Sequence, residues 1–148
     1  MVANTETKEI GISLGVDKGT FHNTEYKSNS IQLIEDNKTD TGEPIYTEEG
    51  YWESGVIDLV DKFKEYDKVV LAKTQEGNSN YAILTRTSDD GINFNNYVAT
   101  TPTGRIQSVV KRYIQVKIKL FAGFVNENLS ISNFDSPNDV SLWDNNAF

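Results

Sequence analysis

The sequence has no cysteine, and its 14 basic residues are outnumbered by 22 acidic ones. Without cysteine the chain can form no disulfide, no thiolate metal site and no thiol nucleophile, so its hydrophobic core must hold the fold unaided. This lack also fits assembly in a reducing cytoplasm. The net charge of -8 repels nucleic acid and anionic membrane surfaces at long range, and we expect neither as a partner.

Long apolar segments are also lacking. No run of 18 apolar residues occurs, and the first residues, MVANTETKEIG, have no apolar segment after a basic start. We therefore expect neither export nor insertion into a membrane. The aromatic content of 11% nevertheless distinguishes the chain from a disordered one, and 148 residues suffice for one core.

Most apolar clusters alternate with polar residues or form short β-branched runs between turn residues, a pattern typical of strands. About nine strands are predicted, at residues 9–14, 30–35, 54–60, 68–74, 80–87, 92–98, 104–109, 112–121 and 128–134. One short connecting helix is predicted at residues 59–67, where Leu59, Phe63 and Tyr66 recur at helical spacing. Because the helices that βαβ units need are missing, we predict an all-β fold, an antiparallel β-sandwich or jelly roll.

The domain prediction follows from these strands. We expect a flexible N-terminus at residues 1–7, one β-sandwich domain at 8–134, and a tail at 135–148 that is frayed or pinned at Trp143.

Turn residues and polar stretches connect the predicted strands. Two long polar connections are expected at residues 15–29 and 36–53, and connections of that length are commonly binding segments or mobile ones. Asp90-Gly91 predicts a hairpin turn, because glycine tolerates the positive φ that tight turns require.

Catalytic chemistry has little support. The single histidine, His22, lies in a polar segment, and no serine sits in a G-x-S-x-G elbow. Carboxylates are plentiful near Tyr51 and Trp52, but their spacing does not place two of them across a cleft, as a glycosidase requires. We therefore predict a non-enzymatic protein without a cofactor.

A metal site is weighed at the segment SDDGINFNN. Asp89, Asp90 and Asn93 supply oxygen ligands of the kind that calcium prefers. The segment lacks the alternating Asp ladder and the closing Glu of an EF-hand. We predict a plain hairpin turn and no metal, with these three residues as the alternative ligand set.

Aromatic residues in polar surroundings are the usual platform for sugar rings. Tyr51, Trp52 and Trp143 lie in or beside polar segments and are the predicted glycan contacts. The alternative for Trp52 is that it precedes a strand and closes the core.

Charges of opposite sign are segregated along the chain. Residues 36–53 hold six acids and one base, whereas residues 104–126 hold five bases and no acid. Side chains alternate across a strand, so an inward row of Ile114, Val116, Ile118 and Leu120 leaves an outward row of Gln115, Lys117 and Lys119. We expect the inward row to face Val70, Ile83, Val56 or their neighbours.

Two interpretations of this basic row stay open. Its lysines can lie opposite acidic side chains of neighbouring strands or simply keep the face soluble. Alternatively, they form a contact between two copies of the chain. The predicted interface residues in that case are Arg112, Lys117, Lys119, Glu43, Glu48 and Glu49.

Three motifs in residues 50–121 carry a family resemblance: E-S-G-x-I-D-L, then T-R-T-S-D-D-G-x-x-F, then R-Y-I-Q-V-K-I. Together they resemble a module of tail-tip and baseplate proteins from siphophages that infect Gram-positive bacteria, Bacillus phages included. The module is similar to galactose-binding-like and jelly-roll sandwiches, among them the shoulder-type domain of lactococcal phage receptor-binding proteins.

The resemblance implies a non-enzymatic structural module of a tail tip or baseplate. Such a protein would be made in the host cytoplasm, reside in the virion, and have other phage tail proteins or further copies of itself as partners. The alternative function is a carbohydrate-binding module that contacts glycans of the host cell wall. No ligand-binding residue is implied by the resemblance.

Overall fold

The computed structural model describes residues 6–12, 15–59, 65–69, 72–123, 127–132 and 140–147. Within these ranges it contains fifteen strands and no helix. The strands are β1 Glu6–Ile12, β2 Thr20–His22, β3 Thr24–Lys27, β4 Ser30–Leu33, β5 Glu35–Lys38, β6 Pro44–Tyr46, β7 Glu49–Glu53, β8 Ile57–Asp58, β9 Glu65–Val69, β10 Ala72–Gln75, β11 Asn80–Ser88, β12 Val98–Ala99, β13 Tyr113–Phe121, β14 Leu129–Ser132 and β15 Val140–Ala147. The described residues therefore hold no helix that is long and apolar enough to span a membrane.

The strands form four sheets in which every pair is antiparallel. The largest has the order β12-β11-β13-β7-β2, with β8 also paired to β13, and the next has the order β10-β14-β4-β3. A three-stranded sheet, β1-β15-β9, and a two-stranded sheet, β5-β6, complete the set. The prediction of an all-β fold with antiparallel sheets is thus confirmed.

Strand β13 supplies the centre of the core. Its alternation places Ile114, Val116, Ile118 and Leu120 on one face, and each of them has 0% exposure. The predicted inward row is therefore confirmed. Trp52 of β7 lies opposite Ile118 on one side and is itself 1% exposed.

The four-stranded sheet contributes to the same core. Ile31, Leu33 and Ile131 are buried in one hydrophobic cluster with the inward row of β13, and β4 contacts both β13 and β7. Ile83, a predicted partner of that row, is buried as expected. Val56 itself is 47% exposed, but its neighbour Ile57 packs against the core cluster. Val70 lies outside the described residues.

A sharp bend at Asn23 carries the chain from one large sheet to the other. Asn23 has a φ of 52°, and it separates β2, which pairs with β7, from β3, which pairs with β4. The hydroxyl of Thr24 donates to the carbonyl oxygen of Tyr51 at 2.8 Å and ties the bend to β7. Residues 15–29 are therefore not the long polar connection that we expected.

The side chain of Asn128 extends the pairing between β14 and β4. Its Oδ1 accepts from the Leu33 N–H and its Nδ2 donates to the Leu33 carbonyl, both at 3.2 Å. These two bonds satisfy a backbone position just beyond the Ile131–Ile31 pair. Because Asn128 is 4% exposed, the amide also satisfies its own polar atoms in the interior.

Several strand boundaries differ from prediction. Residues 36–53 contain parts of β5, β6 and β7 instead of one long connection, and the predicted strand at 68–74 is divided between β9 and β10 in different sheets. The segment 104–109 forms only an isolated bridge from Arg105 to Lys68.

Two further predictions concern the chain's helix and its tail. The helix expected at 59–67 is wrong over its last part, because residues from Glu65 onward form β9, while residues 60–64 lie outside the described ranges. Residues 140–147 of the expected tail form β15, which pairs with β1 on one side and β9 on the other. Glu6 and Thr7, expected to be flexible, belong to β1.

The alternation of β13 predicts opposite responses to charge at neighbouring faces. Val116→Asp buries an unpaired carboxylate and should lower the free energy of unfolding by about 3–5 kcal/mol. The same substitution at the exposed Lys119 should change it by about 1 kcal/mol or less. Urea denaturation of both variants measures the difference, and equal losses would contradict the register.

Candidate functional site

The outer face of the six-stranded sheet, opposite the core, collects polar and aromatic side chains. Its strands place His22 beside Tyr51 and Tyr51 beside Lys119, and they place Lys117 between Glu53 and Leu84. Each of these residues alternates with a core residue along its strand. The outer face therefore follows directly from the register that builds the core.

The loop between β11 and β12 reaches this face through a turn that Asp90 holds. Its Oδ1 accepts from the backbone N–H groups of Ile92 and Asn93 and from the Ser88 hydroxyl, each at 2.8 Å, and its Oδ2 accepts from the Asn93 amide. These bonds, those from Asn93 first, hold the pKa of Asp90 well below its usual range. Gly91 follows with a φ of 76°.

This geometry bears on the alternative metal ligands. Both Asp90 oxygens are occupied within the turn, and Asp89 forms an ion pair with Lys111 at 3.4 Å. No cluster of three potential metal-ligating side chains occurs in the part of the chain that the structure describes.

The predicted strand at 92–98 is wrong except for Val98, because the Asp90 turn leads into an irregular segment.

Arg86 packs between two aromatic rings that this irregular segment supplies. Its guanidinium carbon lies 4.6 Å from the Phe94 ring centroid and 4.7 Å from the Tyr97 centroid. Its Nε and Nη2 both donate to Gln115 Oε1, at 2.9 and 2.6 Å. Gln115 in turn donates to the Ser54 carbonyl at 2.8 Å. Gln115 thus lies on the outer face as predicted, but it is only 7% exposed, because Arg86 and the neighbouring side chains cover it.

Tyr97 joins this arrangement to the lysine row. Its hydroxyl donates to Glu53 Oε2 at 2.6 Å. Burial is the main reason that the pKa of Tyr97 lies above its usual range, and the Glu53 carboxylate raises it further. The Lys117 ammonium lies 4.9 Å from the Tyr97 centroid and 4.3 Å from that of Tyr51. We call Arg86, Phe94, Tyr97, Lys117 and Tyr51 the cation–aromatic layer.

A depression of about 260 Å³ borders this layer. The His22 and Tyr51 rings stack at its side, with centroids 4.9 Å apart and planes inclined by 19°. Its lining comprises His22, Asn23, Glu49, Gly50, Tyr51, Lys117 and Lys119. We call it the lysine–tyrosine depression, and it contains groups that can bind an anion, hydroxyl groups or the edge of a ring.

The three predicted glycan contacts are not brought together. Tyr51 lines the depression, but Trp52 points to the core and its Nε1 donates to the Lys18 carbonyl at 2.5 Å. A buried ring offers no face to a sugar, so Trp52 takes the alternative role of closing the core. The backbone of Trp143 lies in β15, in a different sheet.

The predicted interface residues separate into two groups. Lys117, Lys119 and Glu49 line one depression within a single chain. Arg112 is outside it and makes a two-pronged ion pair with Asp58, at 2.9 and 3.1 Å.

The remaining acids of that set, Glu43 and Glu48, are exposed and do not line the depression. The alternative of an acidic residue on a neighbouring strand fits Lys117, which lies opposite Glu53 of β7, and Arg112 is likewise paired with Asp58 of β8. A contact between copies stays a prediction.

Sequence reasoning missed His22, Arg86 and Tyr97 as members of this surface. Arg86 had a usable signal, because in the alternating segment NYAILTRT it takes the face opposite to Ile83. His22 and Tyr97 had none, because their neighbours come from strands that are distant in the sequence.

Comparison with known proteins finds no family model that matches this chain, and likewise no matching curated protein or solved structure.

The Tyr97–Glu53 bond predicts a pH-dependent stability difference. Tyr97→Phe should lower the free energy of unfolding by about 1.5 kcal/mol at neutral pH, because a bond to a charged acceptor is lost. The pKa of Tyr97 is higher in the folded state than the value of about 10 in the unfolded chain. The stabilisation by this bond is therefore fully present below pH 10 and is lost as the pH rises above it. The difference between wild type and variant should therefore shrink above pH 10, by up to about 1.4 kcal/mol per pH unit.

Denaturation curves between pH 7 and 11.5 measure this difference. Tyr26→Phe, at an exposed tyrosine of β3, is the control and should follow wild type throughout. Curves for wild type and Tyr97→Phe that stay parallel above pH 10 would contradict the assigned role of the phenol.

Proposed function

We propose that this protein is a non-enzymatic structural or accessory module of a bacteriophage tail tip or baseplate. It resides in the virion and mediates protein–protein assembly near the adsorption apparatus. The three motifs that resemble tail modules fall on the end of β7 with β8, on the end of β11 with the loop after it, and on β13, and β7, β8 and β11 all pair with β13 in the largest sheet. The resemblance to tail modules therefore concerns residues that build the largest sheet.

The fold assignment belongs to the same proposal. We infer that the six-stranded and four-stranded sheets form a β-sandwich of the jelly-roll or galactose-binding-like kind. Supporting this is the shared hydrophobic cluster, to which Ile118 belongs from one sheet and Ile31 from the other. Side chains from two inner faces that interdigitate in one core are the defining feature of such sandwiches.

The observation that carries the assembly function is the cation–aromatic layer. Arginine and tyrosine are enriched at the energetically dominant positions of protein interfaces. Here Arg86, Tyr97 and Lys117 are held in place by aromatic stacking and hydrogen bonds. A surface whose side chains are already ordered loses less entropy when another tail protein, or a second copy, binds to it.

Composition of purified particles tests the proposal. Mass spectrometry or immunogold labelling should find the protein in virions or in tail-assembly intermediates, and its complete absence from both would refute the structural role. Lys117→Asp, in the cation–aromatic layer, should reduce incorporation. Lys73→Asp, at an exposed lysine of β10 in the other large sheet, is the matched control and should leave incorporation unchanged.

A second function is a carbohydrate-binding module that contacts host cell-wall glycans. The lysine–tyrosine depression favours it, because a stacked pair of rings lies beside several hydrogen-bonding groups. This version relies on Tyr51 and His22 and leaves out Trp52.

A cell-wall pull-down tests this second function. Wild type should be retained by wall fragments, and Tyr51→Ala should lose most of the retention. Tyr26→Ala, at an exposed tyrosine on the other large sheet, should behave as wild type. Retention that neither substitution alters, or no retention at all, would count against glycan binding at this site.

A further inference from the structure

We infer that the lysine–tyrosine depression binds an acidic sugar, meaning a single saccharide unit that carries a carboxylate or a phosphate. Lys117 and Lys119 hold the anionic group, while the His22–Tyr51 pair and Glu49 contact the ring and its hydroxyl groups. This inference rests on the second function proposed above and specifies its ligand.

Among the described residues no carboxylate forms an ion pair with the Lys117 ammonium, whose contacts are the rings of Tyr51 and Tyr97. Glu53 lies opposite Lys117 on β7, but its carboxylate accepts the hydrogen bond from Tyr97. The residue is half-buried, so its charge has lost part of its hydration. An anion that approaches such a group is attracted more strongly than in bulk water, because the effective dielectric constant is lower.

The position of Lys117 is fixed before any ligand binds. Tyr97 is held by its 2.6 Å bond to Glu53 and by the Arg86 guanidinium, and Tyr51 is held by the stacked His22 ring. A side chain that is already ordered by two neighbours loses less conformational entropy on binding. Lysine side chains otherwise lose up to about 2 kcal/mol of rotamer freedom when they are fixed.

Lys119 adds a second positive group on the same face. It lies two residues further along β13, about 7 Å away at the usual rise of a strand. Glu49 lines the same depression, so two ammonium groups are set against one carboxylate. Glu53 and Arg86, which lie outside this lining and both contact Tyr97, cancel each other in charge. The local balance is therefore positive in a protein whose net charge is -8, and an anion is favoured over a cation.

The remaining lining fits a sugar better than an extended acidic peptide. The volume of about 260 Å³ lies near the lower end of ligand sites, roughly 300 Å³, and suits one ring-sized group. His22, from β2, and the lysines, from β13, approach Tyr51 from opposite sides. A ligand therefore meets the rim of the Tyr51 ring and its hydroxyl, with Glu49 as an acceptor for sugar hydroxyl groups.

Titration of the full chain with small probes tests the inference. We would follow backbone amide signals of Asn23, Gly50 and Lys119 by NMR at low salt while adding glucose 6-phosphate, glucuronate, glucose, inorganic phosphate or tetraglutamate. Both charged sugars should shift these signals, with glucose and inorganic phosphate binding at least tenfold more weakly. Physiological salt should weaken the binding, because part of the attraction is screened.

Substitutions locate the binding in the depression. Lys119→Gln and Lys117→Gln should each weaken glucose 6-phosphate binding about tenfold, the size expected for one charge-assisted hydrogen bond. Lys73→Gln is the matched control, because Lys73 is an exposed lysine that also lies over a tyrosine ring, that of Tyr81 at 5.0 Å. It should bind as wild type does.

The outcomes separate this inference from the function on which it rests. Equal binding of glucose would overturn the acidic preference but leave glycan binding standing. Equal binding of inorganic phosphate would show an anion site without sugar recognition and overturn the inference. Tighter binding of tetraglutamate would assign the depression to a protein partner. Absence of any shift with all five probes would reject a ligand site here, and the assembly role would then be judged by particle composition alone.

Discussion

Strand β13 pairs with β11 from Tyr113 to Phe121 and with β7 from Lys117 to Phe121. This double pairing forces every second side chain into the core and every other one to the outer face, so one choice of register determines both surfaces. The core face is filled by β-branched residues and leucine, which belong to one hydrophobic cluster with residues of the four-stranded sheet. A slip by one residue would bury Lys117 and expose Val116, and the burial of an unpaired charge excludes it.

The outer face of the largest sheet carries the charged and polar side chains that alternate with the core residues. Arg86, Gln115 and Lys117 occupy the middle of the widest sheet, where neighbouring strands limit their access to water. The loop after β11 answers this with Phe94 and Tyr97, whose rings lie against the cations. Each such contact contributes about 0.5–2 kcal/mol, depending on how far the cation is desolvated. The loop is thus part of the sheet's covering, although it is irregular in backbone.

Sequence alone predicted the parts of the fold that depend on local pattern. The alternation in β11 and β13 identified both strands and the inward row, because period two is an unambiguous signal over nine residues. It failed where a side chain replaces backbone pairing. Asp90 accepts hydrogen bonds from the backbone N–H groups of Ile92 and Asn93, which are then not available for strand pairing. The alternation of residues at 92–98 gives no sign of these bonds.

The depression was hidden for a different reason. His22, Tyr51 and Lys119 are distant in the sequence, and they meet only because β2 and β13 flank β7 in one register. The sequence showed that acidic and basic residues are segregated along the chain. That Glu49 lies beside Lys117 and Lys119 in one chain could be seen only once the strand order was known. Trp52 was ambiguous for the same reason, since nothing local distinguishes the core face of β7 from its outer face.

The bend at Asn23 limits how amino-acid substitutions can alter the lysine–tyrosine depression. Gly50 lies directly beneath it, and a Cβ there would be 2.6 Å from the His22 carbonyl oxygen and 2.8 Å from that of Asn23. The floor is consequently bare backbone that no substitution can reshape without moving the bend. The lining can change more freely at Glu49 and Lys119, which are both exposed, whereas exchange of His22 would remove the ring that stacks on Tyr51. Related chains would be expected to share the cavity's depth and to differ in the charge around its mouth.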